Sequence, residues 1–308
     1  MIGKGDWDLR LTPARPDLAA DYLKGQVEAD RFVSAVQRQC VAPVSPIRPK
    51  PDASGGQLSE LLFGEMFETY EDKGGWSWGR NLLDGYVGYV ASADMSSVSR
   101  QPTHRVCVMR TFVYPKPDMK LSATAALPLN AKVSVVASER RFSRLENGGW
   151  IFSDHIAPTS QYIADYVATA HKLLGVPYLW GGKTPLGADC SGLVQLVLEA
   201  AGVSCPRDSD MQAMGLNDSL GEALPFDQTP RAPVFRRGDL VYFPGHVGIM
   251  TDSRTLLHAN ARNMAVTVDP LSEVTGRIEN AQDIPSGGAI TAVRRIDNRY
   301  AAQAANDP

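Results

Sequence analysis

The sequence predicts a multidomain chain in which two small β-barrels precede an α+β domain, and three observations carry that expectation. From about residue 38 to 155 the chain consists of short β-like runs separated by Gly, Pro and Asp. Those runs recur in similar order and length after about 55 residues. From about residue 160 helical periodicity appears, and one run, Ala188-Asp-Cys-Ser-Gly-Leu-Val-Gln195, opens an apolar helix with a cysteine.

In chain order, residues 1–37 are expected to form a helical lead-in, because Leu18 to Val36 reads as one amphipathic stretch behind prolines. Residues 38–97 hold the first set of strands: Val41–Ile47, Gly64–Tyr70, Trp76–Trp78 and Gly85–Val90. Residues 98–158 hold the second: Arg105–Tyr114, Ala131–Val136, Arg141–Arg144 and Gly148–Phe152. Two such sets fit two SH3-like barrels better than one large sheet. Residues 159–308 complete the chain, with a helix from Tyr162 to Leu174, a second helix beginning at Cys190 and ending near Gly202, and strands from Gly238 to Met250.

Composition narrows the function. The 308 residues are 44% hydrophobic with a formal net charge of −3, and no basic stretch is interleaved with aromatics, so no nucleic-acid partner is expected. No segment approaches the roughly 20 apolar residues of a membrane span. The first residues lack an apolar signal core, and Cys40, Cys107, Cys190 and Cys205 show no paired framework, which predicts a cytoplasmic protein.

The chemistry starts at Cys190. A thiol at a helix N-terminus meets the positive end of the helix dipole and unpaired N–H groups, both of which favour thiolate. Such a nucleophile needs a base, and the base an orienting partner. His104, His155 and His171 read as packing or exposed residues. His246 and His258 instead lie in two strand-like runs, Pro244–Met250 and Leu256–Asn260, joined by Thr251-Asp-Ser-Arg-Thr255. A three-residue loop centred on Asp252 would set His246 opposite His258 on one face, and a slip of one residue would separate them. A metal site would require short paired spacings that are absent here, so no cofactor is expected. Gly181-Gly-Lys-Thr184 looks like the tail of a phosphate-binding loop, but Pro177 stands where the leading glycine belongs. Cys40 and Cys107 read as packing residues and Cys205 as a small buried or loop residue.

Pro177-Tyr-Leu-Trp-Gly-Gly182, Asp189-Cys-Ser-Gly192, Pro206-Arg-Asp-Ser209 with Gln212, Arg237-Gly-Asp-Leu240, Gly245-His-Val-Gly-Ile249 and His258-Ala259 occur in that order. In this the chain resembles the NlpC-type bacterial cell-wall cysteine peptidases over about residues 165–296. The resemblance implies a papain-like domain with the cysteine helix packed on an antiparallel sheet that bears the histidines. With two SH3-like barrels in front, the chain looks like the murein-recycling γ-D-glutamyl-L-diamino acid endopeptidases. These cut after D-glutamate in peptides with a free N-terminal L-Ala.

Carried over, Cys190 is the nucleophile, His246 the general base and then acid, and His258 the orienting residue. Tyr178 lies beside the thiolate, and Trp180 of the same motif is a substrate-binding candidate. Asp189, Ser191 and Ser209 match positions that contact the substrate's amine and backbone, with Asp189 supplying negative charge for the ammonium. Glu65 and Tyr86 of the first barrel are the candidates for further amine-reading groups. The expected partner is a murein tri- or tetrapeptide containing diaminopimelate or lysine, with oligomeric state left open. An amidase acting on the lactyl-L-Ala bond, acyl transfer by the same residues, and a non-catalytic wall-peptide-binding protein stay open as alternatives.

Overall fold

The computed structural model describes residues 7–215, 220, 222–224, 235–285 and 288–296. It divides into two units, Met1–Thr159 and Ser160–Pro308.

In the first unit, alternation of apolar and polar residues builds two small β cores. One five-stranded antiparallel sheet runs in the order Met95–Ser96, Val36–Cys40, Met66–Lys73, Trp76–Asn81, Val87–Ala91. A separate antiparallel pair is formed by Val44–Ile47 and Ser59–Leu62. Cys40, Ile47, Leu61, Phe67, Tyr86, Val90 and Met95 fill this core. A second five-stranded sheet has the order Ala125–Pro128, Arg110–Tyr114, Trp150–Phe152, Phe142–Leu145, Val135–Glu139. Val106, Val113, Leu127, Val133, Leu145 and Ile151 lie at its core.

The lead-in differs from expectation. Leu18 to Val36 forms no α-helix but the short strands Leu18–Ala20 and Phe32–Val33, a 3-10 turn at Asp21–Leu23 and the start of Val36–Cys40. Leu18, Ala19 and Ala20 are all fully buried. Three consecutive buried residues suit an extended segment enclosed on both faces, whereas a surface helix would bury every third or fourth residue. Their core includes Tyr70, Trp78 and Val87, and Gly25 at φ +81° breaks any helical run.

The second unit places a buried helix against a sheet. Helix α1 (Tyr166–His171) is shorter than expected: the Asp165 side chain caps it by accepting from the Ala168 N–H, while the Ile163 N–H is already given to the Ala200 carbonyl. Helix α2 (Cys190–Ala200) buries every residue except Glu199, the pattern of a helix enclosed on all sides. It packs on α1 and on the strands His246–Met250 and Thr255–Asn260. The sheet has six strands in the order Glu222–Leu224, Ala292–Arg295, Leu240–Phe243, His246–Met250, Thr255–Asn260, Ala265–Pro270, all antiparallel. Helix α3 (Ser209–Met214) follows α2, and helix α4 (Leu271–Gln282) leaves the last strand of this row and buries Leu271 and Val274 against Val241, Phe243, Met250 and Leu256.

Gly192, in the first turn of α2, marks the closest approach in this unit: a methyl there would collide with the Gly182 carbonyl, with backbone on both sides of the contact. Gly192→Ala should therefore cost about 1–3 kcal/mol, read as a lower urea midpoint with unchanged slope. A midpoint equal to wild type would show that the loop before α2 yields freely.

Candidate functional site

Cys190 is the first residue of α2, with Asp189 as the N-cap whose carboxylate accepts from the Gly192 N–H at 2.7 Å. That carboxylate also takes the Gly181 N–H at 2.8 Å and a two-pronged ion pair from Arg207 at 3.0 and 2.6 Å. Arg207, only 1% exposed, also donates to the Ser191 hydroxyl at 2.9 Å. Gln212 of α3 donates to the Ser191 and Pro206 carbonyls at 3.1 and 2.8 Å. Asp189 thus carries no uncommitted charge, because the buried guanidinium neutralises it. The expectation that it supplies net negative charge for an ammonium does not fit this arrangement. Arg207 lies in a motif visible in the sequence, but its function as the counterion was missed, because an arginine 18 residues from the aspartate it pairs with leaves no local signal.

The histidines meet as expected, by a different register. The three-residue loop comprises 252–254, centred on Ser253: Asp252 Oδ1 accepts from the Arg254 and Thr255 N–H groups at 2.7 and 2.8 Å, and the Thr251 N–H donates to the Thr255 carbonyl. Ile249 pairs with Leu257 and Met250 with Leu256, so His246 and His258 are diagonal neighbours and not directly opposite. The shift is two residues, which preserves the face. His246 Nε2 lies 2.7 Å from His258 Nδ1. His258, 2% exposed, directs Nε2 at Asp269 Oδ2, 3.1 Å away. Arg277 of α4 donates to the same oxygen at 3.1 Å. Asn260 Nδ2 sits 3.4 Å from His258 Nε2 but is committed to the Thr267 hydroxyl at 2.8 Å. Asp269, Arg277 and Asn260 were not singled out from the sequence. The available signal was the alternation of polar residues in successive strands, 258 and 260 followed by 267 and 269.

The site is dry. Burial pushes the Cys190 thiol up to about 12; Asp189 acts in the same direction, while the Val247 N–H, Arg207 and the Ser191 N–H pull it back. Burial, then His258, lowers His246 to about 3. Burial also lowers His258, against the opposing pull of Asp269. For Asp269 burial disfavours the charge, but the His258 and Arg277 contacts prevail and hold it below the usual carboxylate value. The helix N-terminus alone does not produce a resting thiolate here: desolvation outweighs it, and Cys190 and His246 rest neutral. Such a pair can perform nucleophilic attack with the proton leaving as the new bond forms.

Tyr178 is half-buried, and its hydroxyl is raised by burial, then by Cys190 and Asp189, which places it electrostatically beside the thiol. Ser191 is buried and Ser209, the first residue of α3, half-buried. Trp180 is 69% exposed. Glu65 and Tyr86 are buried in the first unit: Glu65 accepts from the Leu62 N–H at 3.0 Å and Tyr86 belongs to the core around Phe67.

A buried cysteine on a helix N-terminus facing a polar histidine row on an antiparallel sheet defines a cysteine-hydrolase type of site. Residues 175–278 match the NlpC/P60 family, and residues 47–95 match the bacterial dipeptidyl-peptidase Sh3 domain. The chain combines an NlpC/P60 domain with a bacterial SH3 domain. It is 27% identical over 245 residues to the gamma-D-glutamyl-L-lysine dipeptidyl-peptidase of Bacillus subtilis (strain 168), covering 70% of this chain and 76% of that protein. Dipeptidyl-peptidase 6 of Lysinibacillus sphaericus is 31% identical over 121 residues, 39% of this chain and 41% of that protein. The crystal structure of an NlpC/P60 family protein from Bacillus cereus ATCC 10987 has a similar fold, with a TM-score of 0.67 at 17% identity over 84% of this chain and 99% of that one.

Two expectations follow from the charges. Arg207→Leu should destabilise the protein by about 3–5 kcal/mol, since it strands a buried carboxylate; urea unfolding that matches wild type would contradict the ion pair's role. Iodoacetamide labelling of Cys190, followed on its own peptide by mass spectrometry, should accelerate about tenfold per pH unit from about pH 7 to about pH 10. A rate already flat below pH 7 would mean a preformed thiolate.

Proposed function

We propose that this chain is a cytoplasmic cysteine endopeptidase of cell-wall recycling. It hydrolyses the γ-D-glutamyl bond to the diamino acid, diaminopimelate or lysine, in murein peptides with a free N-terminal L-Ala, and releases L-Ala-D-Glu. The observation that carries the reading is the row of His246, His258 and Asp269 on the sheet against which the Cys190 helix packs. It is supported by relatives named gamma-D-glutamyl-L-lysine dipeptidyl-peptidase that align over 70% of this chain, and by the matches to the NlpC/P60 family and the bacterial dipeptidyl-peptidase Sh3 domain. The two β cores of the first unit are read as two SH3-like barrels, residues 38–97 and 98–158 behind a lead-in of residues 1–37. Residues 159–308 are read as a papain-like peptidase domain, in which α2 and the histidine-bearing strands form the two halves of the site.

In this reading His246 takes the Cys190 proton as sulfur attacks the γ-amide carbonyl. The Cys190 N–H and the Tyr178 hydroxyl stabilise the oxyanion. His246 then gives the proton to the leaving amine, and a thioester to D-glutamate remains. Water, deprotonated by His246, releases the acid and restores the thiol. Ser209 holds the substrate backbone and Trp180 stacks on it, whereas Asp189 and Ser191 act by fixing the loop and helix around the thiol. Because Arg207 neutralises Asp189, the free amine needs acceptors elsewhere.

Products from L-Ala-γ-D-Glu-diaminopimelate and from its N-acetylated form should be separated by mass spectrometry. The free peptide should yield L-Ala-D-Glu and the blocked one should be spared by at least about tenfold, as loss of one charge-assisted contact implies. Cys190→Ala should abolish both cleavages. Equal cleavage of the two peptides would remove amine reading, and cleavage of neither would remove the substrate assignment.

A further inference from the structure

The peptidase reading leaves open what fixes the direction of the hydrogen bonds in the histidine row. A neutral imidazole has one donor and one acceptor nitrogen, so a 2.7 Å contact between His246 Nε2 and His258 Nδ1 can run either way. Only one direction leaves His246 able to accept a proton from Cys190. Its Nε2 is engaged by His258, so the nitrogen left for the thiol is Nδ1, and Nδ1 must carry a lone pair.

The far end of the row decides this. Asp269 Oδ2 faces His258 Nε2 at 3.1 Å and receives Arg277 at 3.1 Å; Arg277 also reaches Glu273 at 3.6 Å. An ionised carboxylate only accepts, so His258 must present Nε2–H to it. His258 Nδ1 is then an acceptor, His246 must donate from Nε2, and His246 Nδ1 is free to act as base. The opposite ordering would set the His258 Nε2 lone pair against the carboxylate. The charged groups facing Asp269 are His258 from the neighbouring strand and Arg277, with its partner Glu273, from α4.

The register explains how three strands deliver one row. His258 pairs with Thr267 and Asp269 pairs with Leu256, so Asp269 is the diagonal neighbour of His258 on the same face. His246 is diagonal to His258 on the other side. Asp269 is then followed by Pro270 and α4, whose axis brings Arg277 back over the carboxylate.

We infer that Asp269, held by Arg277, is a positioning residue that orders the hydrogen bonds along the row so that His246 offers its Nδ1 lone pair to Cys190. This rests on the peptidase reading for its kinetic consequence but not for the tautomers themselves. In Asp269→Asn the amide can turn its NH2 to His258, reverse the row and place the proton on His246 Nδ1.

The experiment has two arms. In kinetics on L-Ala-γ-D-Glu-diaminopimelate, Asp269→Asn should lower kcat by about two orders of magnitude with KM within about threefold. Asp269→Glu should recover most of that loss, because charge and not packing is what matters. In the second arm, nitrogen-15 histidine NMR of wild type at neutral pH should assign Nε2–H to both His246 and His258, and Asp269→Asn should move His258 towards Nδ1–H. Wild-type His246 found as the Nδ1–H form would overturn the inference, as would an Asp269→Asn protein with unchanged kcat and unchanged tautomers. If wild type cleaved no such peptide, the substrate assignment would fail while the wild-type tautomers still decided this inference. Should Asp269→Asn not fold, Asp269→Glu and the wild-type spectrum carry the test.

Discussion

The buried pair of Asp189 and Arg207 is the constraint on which the site depends. Asp189 binds the first turn of α2 through Gly192, the preceding loop through Gly181 and the segment before α3 through Arg207. Arg207 and Gln212 then hold the Ser191 hydroxyl and carbonyl. The residues on either side of Cys190 are therefore locked by three separate stretches of chain. Buried ion pairs add little net stability relative to apolar packing, and their use is to specify one arrangement. Here the specified arrangement is the position of a sulfur atom.

That arrangement has an electrostatic consequence. Packing tight enough to fix the thiol also removes water from it, and desolvation disfavours the thiolate more than the helix N-terminus favours it. The same dryness keeps His246 neutral. A neutral pair avoids burying two new charges before substrate arrives. Charge then develops only as the carbonyl is attacked, where fixed dipoles act most strongly because no water competes with them. In the proposed peptidase reaction, reactivity depends less on the resting ionisation of the thiol than on which nitrogen of His246 bears the lone pair.

Sequence made the main parts of the site legible because each left a local trace. A cysteine before an apolar helical run, and two histidines in strands joined by the Asp252-Ser-Arg254 turn, are patterns of short range. The lead-in was misread because Leu18–Ala20 is apolar for a reason outside its own segment, namely enclosure by Tyr70, Trp78 and Val87. Asp189 was assigned a free charge because its counterion stands 18 residues away and nothing local announces it. Asp269 and Arg277 belong to a strand and a helix whose facing surfaces become adjacent only after the chain turns at Pro270. What escaped reading were pairings made by tertiary packing, while the groups displayed by a single turn or helix end were readable.

The hairpin register shows why a partly wrong expectation can still bring the same two residues together. Centring the loop on Asp252 and centring it on Ser253 differ by two positions in pairing, and a shift of two returns every side chain to its face. His246 and His258 exchange a direct opposition for a diagonal one, and two imidazoles are long enough to bridge it at 2.7 Å. The diagonal is not confined to one strand pair. It continues in the same sense across the next strand pair to Asp269, so the row advances by one strand at each step and ends at α4, where Arg277 is available. Parity of register decides whether the two histidines share a face, and the separate register of the next strand pair brings Asp269 to His258.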